Sequence, residues 1–180
     1  MIKISEHIHL KNITIKDHSL LYSLMSEIYP AEYNQFWLDG SSWYINSQYS
    51  KENLQKELSE ENQRYYFVVY KEESIGIIRL LFDTAMKNLH HKKAVKLHRI
   101  YLLKKVQGNG IGKLVLQYVE RLVKSENYAI LWLEAMEKKP LALKFYKNFG
   151  FIEGNKYLYE FDLLKKEYQK IIAVYKEYKN

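Results

Sequence analysis

The spacing of apolar positions changes several times along this chain, and each change marks an element. A short strand pattern occupies residues 7–15, and helical spacing follows near residues 17–28 and 50–60. Ser50, ahead of Glu52 and Asn53, suits a helix start because its hydroxyl can accept a free backbone N–H. Between the two helices lies YPAEYNQFWLDGSSWY, dense in aromatic and turn-forming residues. The pattern then turns to strand. Residues 65–70 form a β-branched and aromatic run, 71–74 a turn, and 75–82 a second run, which predicts an antiparallel hairpin. Residues 83–93 read as an exposed loop and 94–103 as another strand.

The second half is sharper. Ile111, Leu114, Val115, Tyr118, Val119, Leu122 and Val123 recur at helical spacing opposite Lys113, Gln117, Glu120, Arg121 and Lys124. Residues 129–136 are a nearly unbroken apolar run of strand length, as a buried central strand requires. Pro140 opens a helix with Leu141, Ala142, Phe145, Tyr146 and Phe149 on one side, and Gly150 supplies its left-handed stop. Residues 157–164 and 169–175 read as a terminal hairpin. The order β-α-α-β-β-β-α-β-α-β-β is a mixed α+β fold, and 180 residues without a linker or repeat suit one domain, 1–180.

Composition narrows the function classes. There is no cysteine, which removes thiolate nucleophiles and disulfides. No stretch approaches the ~18 apolar residues of a membrane span, and the N-terminus lacks a signal-like apolar core, so a cytoplasmic protein is the expectation. The net charge is +7, but the lysines are scattered in short doublets, which argues against nucleic acid as the main partner. His90-His91 stands in a lysine-rich loop without a nearby carboxylate, and no metal site is expected.

The segment Gln107-Gly108-Asn109-Gly110-Ile111-Gly112 joins a strand to the amphipathic helix. Such a junction collects anions, because the first helical N–H groups lack partners and the helix dipole adds about half a positive charge. Glycines let a phosphate approach the backbone. A Walker A loop fits poorly: one residue too few separates Gly108 from Gly112-Lys113, and Leu114 replaces Ser/Thr. A Rossmann fingerprint fits poorly as well, with Lys113 in the third glycine's place.

The register of Gln107, Gly110 and Gly112 instead resembles the (Q/R)-x-x-G-x-(G/A) pyrophosphate loop of the GNAT acetyltransferase superfamily. AILWLEAM and KPLALKFYKNFGF follow in the order that superfamily shows. The stretch from LHRIYL to NFGF resembles bacterial diamine and spermidine/spermine acetyltransferases. One departure is Leu141, where relatives commonly carry a cofactor-holding asparagine.

The resemblance implies a central sheet that splays at an acyl-CoA cleft between residues 96–103 and 129–136. It implies acetyl-CoA as co-substrate, with the backbone of Ile100, Tyr101 and Leu102 along the pantetheine arm. Gln107, Gly108, Asn109, Gly110, Ile111, Gly112 and Lys113 would then hold the pyrophosphate. Helical spacing alone makes Tyr146 an apolar-face aromatic; the resemblance makes it the acid that protonates the leaving thiolate. His98, with an ordinary pKa of about 6.5, is a candidate base. Glu134, a carboxylate inside an apolar run, is another, and a water chain a third. Tyr29, Glu32, Tyr33, Phe36 and Trp37 fall where relatives line the mouth for the amine, and aromatic rings with a carboxylate could hold a cation there.

The expected activity is acetyl transfer from acetyl-CoA to a primary amine, a polyamine or other small amine, by direct attack on the thioester. A protein N-terminus, a lysine or an aminoglycoside is an alternative acceptor. A non-catalytic acyl-CoA-binding regulator is the rival from another class. The sequence leaves monomer and homodimer both open.

Overall fold

Of the 180 residues, the structure, a computed structural model, describes 1–87, 89 and 93–178. The pair His90-His91 lies outside them. The hairpin anticipated in the middle of the chain is its spine: β3 (Gln63–Tyr70) and β4 (Glu73–Leu81) are antiparallel and buried almost throughout. Around them eight strands form one sheet, adding β1 (Ile2–Lys3), β2 (Ile8–Asn12), β5 (Ala94–Leu102), β6 (Ile130–Met136), β7 (Ile152–Leu158) and β8 (Lys170–Glu177). Their order is β1-β2-β3-β4-β5-β6-β8-β7. All neighbours are antiparallel except β5 and β6, which run parallel. This is the mixed α+β sheet that the patterning predicted.

Among the described residues five α-helices cover it: α1 (His18–Tyr33), α2 (Ser42–Gln48), α3 (Lys51–Leu58), α4 (Ile111–Ser125) and α5 (Pro140–Asn148). The Ser50 hydroxyl caps α3 by accepting the Asn53 N–H at 3.0 Å, as its sequence position suggested. In α4, Ile111, Val115, Leu116, Val119 and Val123 form the buried stripe. Burying each such side chain is worth roughly 1.5–3 kcal/mol, which docks the helix start firmly against the sheet. Among the described residues no helix is long and apolar enough to cross a membrane.

Three expectations need correction. First, α1 runs through Pro30 to Tyr33 instead of ending at residue 28. Proline cannot donate back to the preceding turn, but so near the C-terminus only one helical bond is lost and the helix stops a turn later. Second, α2 was unanticipated, since its seven residues, SWYINSQ, are too few to show a helical period. Third, the strand expected at residues 157–164 is β7 at Ile152–Leu158. β7 is the sheet edge and largely exposed, so it lacks an apolar signal. The aromatic run after it leaves the sheet. There Leu164 forms an isolated bridge with Trp37, and the Leu38 N–H donates to the Leu163 carbonyl at 2.9 Å.

One irregularity positions everything that follows. On β4 Arg79 faces Arg99 and the next residue, Leu80, faces Leu97, so His98 is an extra residue on β5. A bulge of this kind bends its strand and increases the local twist. The parallel pairing of β5 with β6 covers only Ala94 with Ile130, Val95 with Leu131, and Lys96 with Trp132. Beyond it β6 stays paired to β8 as far as Met136 with Ile171, while β5 turns away.

Candidate active site at the parting of two parallel strands

A cavity of about 140 Å³ opens where β5 and β6 separate. Leu97 to Tyr101 of β5 and Leu133 to Met136 of β6 form its sides. Tyr29 and Tyr33 come from α1, Trp37 and Tyr44 from the segment after it, Ala142 and Tyr146 from α5, and Tyr159, Phe161 and Leu164 from the stretch after β7.

From His98 onward β5 has a sheet partner only on its β4 side, which leaves the backbone of Ile100, Tyr101 and Leu102 facing the gap. Such an edge can pair with an extended ligand as with another strand. Its continuation is a 3₁₀ turn at Lys104–Val106 and the glycine loop, ending at the first turn of α4. Gly108 and Gly110 have φ of +79° and +77°, which favour glycine, and a β-carbon on either would meet nothing within 4 Å. Open space therefore lies over the backbone just where the free N–H groups of a fifteen-residue helix point. Gln107, Asn109 and Lys113 are exposed at this rim, while Ile111 is buried and anchors the helix start. Gly112 has Leu102 and Phe145 within 4 Å of where a side chain would begin. Gln107 Nε2 donates to the Leu102 carbonyl at 3.1 Å, which ties the loop back to β5.

Tyr146 lies on the cavity wall, 8 % exposed, packed edge-on against Phe145 and Phe151. Among the described residues its hydroxyl makes no hydrogen bond. Burial pushes the phenol well above its ordinary value of 10, so it keeps its proton.

Glu134 reaches the cavity from β6. Its carboxylate accepts from Lys96 Nζ at 2.7 Å and from the hydroxyls of Tyr157 and Tyr159. Burial alone would raise its pKa, but Lys96 and the two phenols outweigh that and hold it below the usual carboxylate value. The two phenols are pushed up correspondingly, through burial and the same carboxylate.

His98 also faces the cavity, but its surroundings do not suit a base working near neutrality. The Arg79 guanidinium lies 2.9 Å from Nδ1, which must therefore accept. Burial, then the charges of Arg99, Arg79 and Lys96, pull the imidazole down to about 2. Behind it stands a buried cluster. The Glu57 carboxylate bridges Arg79 at 3.0 Å and Arg99 at 2.7 Å, and Arg79 also reaches Glu60 at 2.6 Å. Arg99 further donates to Gln48 Oε1 at 3.1 Å.

On the acceptor side the expected residues divide. Tyr29, Tyr33 and Trp37 line the cavity, and Trp37 Nε1 donates to the Tyr29 hydroxyl at 3.2 Å. Phe36 is not on the wall; it is buried and stacked on Tyr168 at 4.1 Å. Glu32 sits at the rim, where its carboxylate holds Lys139 Nζ at 2.5 Å. Tyr29 is stacked between Tyr44 at 4.1 Å and Tyr33 at 4.7 Å, and so does not present an open ring face. Tyr44, Tyr159 and Phe161 were not anticipated, because residues far apart in sequence bring them together. The buried cluster was missed too, although Arg79 and Arg99 interrupt apolar strand runs just as Glu134 does.

Comparison with known proteins agrees with this fold. The model of the acetyltransferase (GNAT) family matches residues 21–151. A Lactobacillus delbrueckii subsp. lactis protein described as an uncharacterized N-acetyltransferase is 23% identical over 116 residues, covering 64% of this chain and 67% of that protein. The PaiA N-acetyltransferase of Thermoplasma acidophilum, solved in complex with coenzyme A, superposes with a TM-score of 0.70 at 19% identity, covering 95% of this chain and 99% of that one. The spermidine/spermine N-acetyltransferase SpeG of Vibrio cholerae, solved in mutant form, has a TM-score of 0.67 at 17% identity, over 96% of this chain and 95% of that one.

Proposed function

This chain belongs to the GNAT family of acetyltransferases, and from that premise we propose that it transfers the acetyl group of acetyl-CoA to the primary amine of a small molecule. The observation that carries the reading is one continuous path. The partnerless edge of β5 leads into a glycine loop at the start of α4, beside a cavity that holds the unbonded hydroxyl of Tyr146.

The chain's residues fit coenzyme A. Open space over Gly108 and Gly110 admits a pyrophosphate to the α4 N-terminus, and the free edge of Ile100 to Leu102 suits the amides of a pantetheine arm. Acetyl-CoA supplies an acyl group on a thiol that needs a proton as it leaves. Tyr146 holds that proton at its hydroxyl, and burial prevents its loss beforehand. The amine enters in its neutral fraction, about one molecule in a few thousand at pH 7 for a lysine-like pKa of about 10.4. Its nitrogen becomes far more acidic on bonding to the acyl carbon, so a weak acceptor suffices. Glu134 is the carboxylate on the cavity wall, and Tyr159, also on that wall, hydrogen-bonds to it and can relay the proton. His98 takes no proton in this scheme. The thiol leaves with the Tyr146 proton and the amino proton rests on Glu134. Its passage to solvent and the return of one proton from solvent to Tyr146 reset the site, and the products are an amide and free coenzyme A.

Steady-state thiol release with acetyl-CoA and a panel of primary amines tests the reading. Amine-dependent release with matching N-acetyl product is the expected outcome. Tight coenzyme A binding without release from any amine would instead favour a non-catalytic regulator.

A further inference from the structure

The carboxylate on the cavity wall, and those paired with Lys139 and Arg99 beside it, already hold cations supplied by the protein; Glu160 and Asp162, next to the lining residues Tyr159 and Phe161, open onto the adjoining surface groove instead. Glu134 accepts Lys96 Nζ at 2.7 Å together with two phenolic hydroxyls. At the rim, Glu32 holds Lys139 Nζ at 2.5 Å. Behind the wall, Glu57 is shared between Arg79 and Arg99. The wall itself contributes the charges of Arg99 and Lys139 against that of Glu134, and His98 beside them stays neutral because Arg79 occupies its Nδ1.

An incoming ammonium group would have to displace one of these partners. Lys96 is only 15 % exposed and Lys139 only 21 % exposed, so a displaced lysine would be left largely desolvated without a counter-charge, which is a costly state. The rings offer little substitute. Tyr29 is stacked on both sides, and Lys139 already lies 4.7 Å from the Tyr33 ring centre. What the cavity does offer is apolar and flat. Trp37, Tyr44, Tyr159 and Phe161 pack in sequence with ring centres between 5.3 and 6.0 Å; Trp37 is buried, and the half-buried edges of Tyr44, Tyr159 and Phe161 can enclose another ring.

Resting on the acetyl-transfer reading above, we infer that the acceptor is an arylalkylamine, a molecule with one amino group and a flat apolar body. Polyamines are poor acceptors for this chain. One amine can enter neutral and needs no counter-charge. A second and third ammonium group, charged throughout, meet a cavity whose anions are taken.

The test is initial-rate thiol release at saturating acetyl-CoA near neutral pH, with 2-phenylethylamine and tryptamine against putrescine and spermidine. The expected kcat/KM is at least tenfold higher for the aryl amines, about 1.4 kcal/mol in transition-state binding. Spermidine turning over as well as or better than phenylethylamine overturns the inference and leaves acetyl transfer standing. No release from any amine, with coenzyme A still bound in calorimetry, overturns acetyl transfer itself and this inference with it. Lys96→Met supplies a second readout by freeing Glu134. It is expected to narrow the aryl-to-polyamine ratio by at least threefold, and an unchanged ratio in the folded variant overturns the assignment of selectivity to the pre-paired carboxylate.

Discussion

His98→Asn should make the protein less sensitive to acid. In the native fold the Nδ1 of the imidazole accepts from Arg79, and burial, with the neighbouring cations, holds its pKa down to about 2. In the unfolded chain the same side chain titrates near 6.5. Below that value the unfolded state takes up a proton that the folded state refuses, so stability falls as pH falls through 6.5 and goes on falling toward the folded value. The loss between pH 7 and pH 5 depends on the unfolded pKa alone as long as the folded one lies well under 5. It amounts to about 2 kcal/mol at 25 °C. Asparagine places an oxygen near the position of Nδ1, so Arg79 keeps an acceptor while the titration disappears. Urea unfolding at both pH values gives the four stabilities needed. The variant is expected to be weaker at pH 7 through lost packing, but to lose about 2 kcal/mol less than the parent on going to pH 5. Equal losses in the two proteins would mean that His98 protonates freely in the folded state, and the bond to Arg79 would then be wrong.

Other expectations concern the site itself. Tyr146→Phe should keep the fold and coenzyme A affinity while lowering kcat by about 10²–10⁴-fold, the usual worth of general acid catalysis; a rate within threefold of the parent in thiol-release assays would remove the phenol from the chemistry. Gly110→Val should weaken coenzyme A binding tenfold or more in calorimetry, since it strains a φ of +77° and fills the open space above the loop. Log kcat/KM should rise with a slope of one per pH unit from about pH 6 to 8 without a break near 6.5, because the neutral fraction of an amine with a pKa of about 10.4 grows tenfold per unit there while Glu134, held below its usual pKa, is already ionised. Glu57→Gln should cost about 3–5 kcal/mol in chemical denaturation, because Arg79 and Arg99 would be left buried without their shared charge.

The elements legible in the sequence were those whose period is imposed by a large buried face. The stripe of α4, the apolar run of β6 and the β3–β4 hairpin each repeat long enough to be read. Edge strand β7 and the short α2 carry no such repeat, and their places are set by tertiary contacts: β7 by pairing with β8, α2 by packing of Tyr44 on Tyr29. The glycine loop was legible because its chemistry is local: three glycines at a strand–helix junction. Tyr146 was singled out by motif register, and it lies on the cavity wall. The rest of the cavity is non-local, with Tyr44 and Phe161 117 positions apart in sequence. His98 was read as a candidate base for a related reason. An isolated histidine on a strand looks like a base, and only the folded chain brings the Arg79 guanidinium of another strand onto its Nδ1.

That guanidinium belongs to the same irregularity that opens the cleft. Arg79 and Arg99 are direct partners across β4 and β5, and like charges so placed repel. They are also 2 % and 3 % exposed, so water does not screen them. Glu57, carried in by α3, resolves the conflict by accepting from both, and His98 adds an acceptor for Arg79. A hydrophobic quartet of similar volume would cost less to bury, as is common for interior ion pairs. It would not, however, tie α3 to β4 and β5 through one shared carboxylate, which holds Arg79 opposite Arg99 and with them the bulge at His98. On this view the buried cluster is retained because it fixes the register of β5 rather than because it stabilises the fold.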